Sequence, residues 1–95
     1  MEVEFVNPYT RVVLKFPIAK VKEAVKFVLE TVGIPDLDDA LFNCWQIAGT
    51  FGERERELLS LVHTVVAGTK DGYVRPEEFD VYALAEEVAG EIGLV

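Results

Sequence analysis

Apolar and polar residues alternate at the start of the chain. Val3 and Phe5 in one run, and Val12, Leu14 and Phe16 in the next, are interleaved with Glu2, Glu4, Arg11 and Lys15. A period of two puts the apolar set on one face of an extended strand and the charged set on the other. Asn7, Pro8, Tyr9 and Thr10 lie between the runs with turn chemistry. A four-residue loop there predicts a β-hairpin with Phe5 opposite Val12 and Glu2 opposite Lys15.

After Pro17 the period changes to that of a helix. Ile18, Val21, Val25, Val28, Leu29 and Val32 mark the buried stripe of a first helix, which Gly33, Ile34 and Pro35 stop. Asp36 is placed to cap a second helix carrying Leu37, Leu41, Cys44, Trp45 and Ala48 and ending near Gly49. A third starts at Thr50 or Gly52, solvates its first turns with the Glu53 to Glu57 run and buries Leu58, Leu59, Leu61, Val62, Val65 and Val66. The stretch from Gly68 to Gly72 reads as a break. Pro76 fits the first turn of a fourth helix, with Val81, Leu84, Ala85, Val88, Ala89 and Ile92 facing inward. The predicted fold class is therefore α+β, mainly α. A hairpin over residues 2–16 precedes four helices in two helix-turn-helix pairs over residues 18–94, all in a single domain of residues 1–95.

Composition narrows the functional classes. With 51% hydrophobic residues in 95, the chain has enough apolar groups to close one core. A formal net charge of -8 repels phosphate backbones and anionic lipid surfaces. Direct nucleic-acid binding and membrane association are thus disfavoured, and a basic protein partner or an acidic mimic of nucleic acid stays open. The lone Cys44 has no intrachain disulfide partner, the Met-Glu-Val-Glu start lacks the order of an export signal, and no apolar stretch reaches membrane-spanning length. A cytoplasmic location is expected.

Catalytic and cofactor chemistry finds little support. Cys44 and His63 are single residues of their kinds, Cys44 in the middle of an apolar stripe and His63 at the margin of one. Ser60 and His63 share a helix, and no residue is placed to orient the histidine as a triad requires. Gly49 and Gly52 lack the Lys-Ser or Lys-Thr that follows a phosphate-binding loop. No cofactor and no enzymatic activity are expected.

Two resemblances bear on the C-terminal half. The run Val-Ala-Gly-Thr-Lys-Asp-Gly-Tyr-Val-Arg-Pro-Glu-Glu-Phe from Val66 to Phe79 resembles the later part of an EF-hand calcium loop, with Asp71-Gly72 at its fifth and sixth positions and Glu78 at its twelfth. Ala67 and Thr69 stand where the first two carboxylate ligands belong. The stretch from Leu58 to Leu94 resembles the tellurite-resistance TerB-type helical domain: an apolar helix, the Asp71-Gly72 turn, Glu77-Glu78 at an acidic helix start, and an alanine-rich helix from Ala83 to Leu94. That resemblance implies an all-helical unit of stress-related or regulatory complexes, in some cases binding divalent ions through acidic residues. Asp71, Glu77 and Glu78 are then the candidate metal ligands, and the same three residues also suit an ordinary turn and helix start.

Aromatic placement points to surfaces. At about 100° per residue, Phe27, Phe42 and Phe79 each fall away from the main apolar stripe of their predicted helices. Either the hairpin covers these rings as a second core layer, or some of them form an exposed patch that associates with a copy of the chain or another protein. The leading expectation is a non-enzymatic protein-interaction or regulatory module that self-associates. The alternatives are a divalent-metal-responsive domain acting through the acidic turn and an acidic nucleic-acid mimic.

Overall fold

The computed structural model describes residues 2–6, 9–75 and 78–95. Strand β1, Glu2–Val6, pairs antiparallel with strand β2, Val13–Pro17. Phe5 lies opposite Leu14, and Val3 opposite Phe16. This register differs by two residues from the one the four-residue loop implied. Strand β2 starts only at Val13, and Arg11 before it has a left-handed φ of 60°, which reverses the chain later than expected. A shift of two preserves the faces. The charge pair across the strands is accordingly Lys15 with Glu4, 3.7 Å apart, rather than with Glu2.

Helix α1, Ile18–Val32, begins directly after Pro17, whose φ of -60° leads into it. It ends at Gly33, where a φ of 66° lets the Gly33 N–H donate to the Leu29 carbonyl at 2.9 Å. Helix α2, Leu37–Gln46, is capped as expected by Asp36, whose carboxylate accepts from the Asp39 N–H at 3.0 Å. It stops before Ala48, which instead opens a single 3-10 turn, Ala48–Thr50. Helix α3, Glu53–Lys70, follows Gly52, and helix α4, Val81–Glu91, completes the chain.

Two helix boundaries correct the sequence reading. Gly68 does not break α3 but lies buried within its last turns. The fourth helix starts not at Pro76 but at Val81, because Asp80 provides a better cap: its carboxylate accepts from the N–H groups of both Tyr82 and Ala83. Pro76 itself lies outside the described residues. Phe79 consequently precedes α4 rather than riding on it.

The four helices follow the hairpin as two consecutive pairs, with α1 as the hub. It packs against α2, α3 and α4, whereas α3 and α4 touch each other only lightly. Its buried side, Val21, Ala24, Val25, Val28 and Leu29, meets Leu37, Ala40, Leu41 and Cys44 of α2, the apolar stripe of α3, and Val81, Ala85, Val88 and Ala89 of α4 in one cluster. Among the described residues no charged or polar side chain is buried, so hydrophobic burial and close packing stabilise this core without buried ion pairs.

The hairpin rests on the end of α3. Val3 joins the core at 2% exposure, Phe5 meets Tyr73 edge-on with ring centroids 5.4 Å apart, and the Val6 N–H donates to the Tyr73 carbonyl at 3.3 Å. The seating is made mainly through β1. Val12 and Leu14, expected on the buried face, are about half exposed, since β2 is the strand away from α3.

Candidate functional site

The described residues of the acidic turn gather no set of ligands. Asp71 is exposed at the C-terminal end of α3, and Gly72 follows with a φ of 83°, as a tight turn requires. Glu78 sits in the turn before α4 and faces Arg75 at 4.0 Å, while Glu77 lies outside the described residues. Asp71, Glu78 and Glu4 border one shallow cleft, but Glu4 and Glu78 are each directed to a cation, Lys15 and Arg75. Among the described residues, no three His, Cys, Asp or Glu side chains stand close enough to hold a metal ion. Helix α4 begins three residues after Glu78.

Cys44 is fully buried between α1 and α2. Its thiol donates to the Val28 carbonyl at 3.6 Å, and burial pushes its pKa up, so it remains a protonated core side chain at neutral pH. His63 lies on the exposed side of α3 and meets the Trp45 ring edge-on, centroids 5.3 Å apart. The two residues are thus held on different sides of their helices.

The three off-stripe phenylalanines do not form one surface. Phe27 is half-buried and packs edge-on against Phe51 at 5.5 Å, so the segment after α2, not the hairpin, covers it. Phe79 is half-buried against the core and lines a cleft with Val3 and Val74, where the hairpin passes. Phe42 stands apart at 62% exposure.

Around Phe42, which its helical angle singled out, the structure assembles a surface whose other members periodicity did not reveal. Trp45, expected in the buried stripe of α2, is 45% exposed, and Ile47 just beyond it is 41% exposed. Phe42 and Trp45 form one wall of a groove of about 270 Å³ between α2 and α3, with Leu41, Val66 and Ala67 at its floor and His63 opposite. The far end is closed by a polar triad in which Asp38 accepts from Lys70 and from the Tyr82 hydroxyl, each at 3.2 Å. The hydrogen bond to Asp38 raises the Lys70 pKa, and burial, followed by the Asp38 charge, raises that of Tyr82. The groove is therefore apolar along its length and its cation is already paired.

A second group of exposed apolar residues lies toward the turn of the hairpin, on both of its faces, where Val6, Val12, Val13 and Leu14 are 41–51% exposed and Tyr9 is 87% exposed. Apart from Val95 near the end of the chain, the large exposed apolar residues that the structure describes are confined to these two places.

The chain matches no family model, no curated protein and no solved structure. The site must be argued from its own chemistry. Among the described residues no helix is long and apolar enough to cross a membrane. The one sign in the sequence that could have singled out Trp45 is its place at the edge, rather than the centre, of the α2 stripe. A tryptophan there has a large ring and only half a core to bury it in.

Proposed function

We propose that this protein is a non-enzymatic interaction module that self-associates to cover apolar surface left open by the single chain. The observation that carries this reading is the segregation of exposed apolar side chains into two regions, Phe42, Trp45 and Ile47 on the α2 side and the hairpin, where Val12 and Leu14 lie on one face and Val6 and Val13 on the other. Single exposed apolar residues scattered over a surface are ordinary, but contiguous groups are characteristic of surfaces that bind other proteins. Paired rim charges support the reading as well. Lys70 is engaged by Asp38 and Lys15 by Glu4, so these two rim lysines carry compensated charge.

Light scattering coupled to size-exclusion chromatography at micromolar concentration tests the proposal. A mass above the 10.6 kDa of one chain is expected, and it should fall toward that value when a glutamate replaces either Leu14 or Phe42, whichever patch is buried. A mass of one chain at every concentration would refute it.

A further inference from the structure

We propose that the outer edge of β2 pairs with β2 of a second copy, in antiparallel register about a two-fold axis at Leu14, to build a four-stranded sheet. This inference rests on the self-association proposed above and names the surface and geometry through which it occurs.

Backbone direction is the starting point. The Val6 N–H leaves the hairpin to reach Tyr73, so Val6 and its partner Val13 form a pair without mutual backbone hydrogen bonds. Alternation then makes Phe5–Leu14 and Val3–Phe16 the hydrogen-bonded pairs, and leaves the N–H and C=O groups of Val13 and Lys15 pointing outward from β2. Neither residue makes a backbone hydrogen bond beyond the hairpin among the described residues. On β1 the corresponding edge is met at Val6 by the Tyr73 segment, whereas on β2 it is open. An open strand edge takes an extended chain.

The usual protections of such an edge are weak here. Lys15 is the edge lysine, but its ammonium is drawn across the sheet to Glu4 on the opposite side of the hairpin. Pro17 lacks an N–H only at the very end of the strand.

Register selects a second copy and one alignment of it. With the axis at Leu14, Val13 and Lys15 of one chain face Lys15 and Val13 of the other, so all four outward groups on each strand are used. Leu14 then faces Leu14, Val12 faces Phe16, and no like charges stand opposite. Moving the axis to Lys15 would set two lysines against each other and bring Pro17, which has no donor, into the ladder. Moving it to Val13 would require Arg11, whose left-handed backbone leaves the strand. The favoured alignment also buries Leu14 and Val12, the residues that the single chain leaves about half exposed.

Cysteine cross-linking tests this alignment. Leu14 and Val13 are matched in exposure at 48% and 47% but lie on opposite faces. Facing residues of a pair without hydrogen bonds lie about 4.5 Å apart at Cα, inside the disulfide range, whereas diagonal neighbours lie about 7–8 Å apart, at or beyond its limit. Under a mild oxidant, Leu14→Cys is expected to form a covalent dimer at least about tenfold faster than Val13→Cys or Phe42→Cys. The wild-type chain serves as the baseline because Cys44 is buried. A wild-type dimer in which Leu14→Cys cross-links no faster than Val13→Cys would overturn the β2 pairing and leave self-association standing. A wild-type chain that stays monomeric would overturn both.

Discussion

The ring of Phe5 occupies the space that a Cβ at residue 68 would fill: its Cδ2 and Cε2 atoms lie 2.8 Å from that position. Val74 Cγ2 lies 3.1 Å from it. The glycine within α3 is thus the seat of the hairpin, and it has a helical conformation rather than marking a break.

Gly68→Ala should therefore act in opposite directions in two backgrounds. In the wild-type chain the new methyl group displaces the Phe5 ring, and the overpacking cost of about 1–3 kcal/mol outweighs the helix gain of about 1 kcal/mol. In a Phe5→Ala background the ring is gone, Val74 Cγ2 has only to give by a few tenths of an ångström, and the helix gain should make the same substitution stabilising. Denaturant unfolding of the four chains in this cycle measures the coupling. Equal effects in both backgrounds would show that Phe5 does not sit on Gly68.

Alkaline pH should weaken the fold. Cys44 is raised by burial, Tyr82 by burial and then the Asp38 charge, and Lys70 by its hydrogen bond to Asp38. In each case the folded chain holds its proton more tightly than the unfolded chain. Stability is complete below the unfolded values, about 8.5 for a thiol and about 10 for a phenol or an ammonium, and falls as pH rises through the higher folded ones. The melting temperature should hold steady up to about pH 8 and then decline, with Cys44→Ala removing the first part of the decline. Thiol reagents should modify Cys44 only at the rate at which the chain opens. Fast modification at neutral pH would contradict its burial.

Trp45 is the single tryptophan, so its emission reports on the α2 side of the molecule. If copies pair through β2, its half-exposed ring keeps its surroundings when they do, and the emission maximum should not move with protein concentration. A concentration-dependent blue shift would place the contact at Phe42 and Trp45 instead.

How much of this was legible in the sequence depends on how local each feature is. The bounds of α1 follow from residues within it and beside it, Pro17 before and Gly33 after, and the sequence reading and the structure agree there. Asp36 likewise announces α2. The start of α4 was misplaced because Pro76 and Asp80 are both plausible openings, and only the backbone geometry at Asp80 lets one carboxylate serve two N–H groups. Gly68 was misread because its reason is a ring more than sixty positions away in the chain. For the candidate surfaces, Phe42 stood out by its angle on the helix. Trp45 did not, since the exposure of a stripe's edge depends on how far α3 reaches over it.

Concentration and salt together test the central claim that the single chain leaves apolar surface for a second copy to cover. Two chains of net charge -8 repel each other, while strand pairing and apolar burial attract. Sedimentation equilibrium over a micromolar concentration series, run at about 0.01 M and about 0.15 M salt, shortens the screening length from about 30 Å to about 8 Å. The account predicts a monomer–dimer equilibrium that tightens as salt is added. A mass of one chain throughout, or a dimer that dissociates as salt is added, would contradict it.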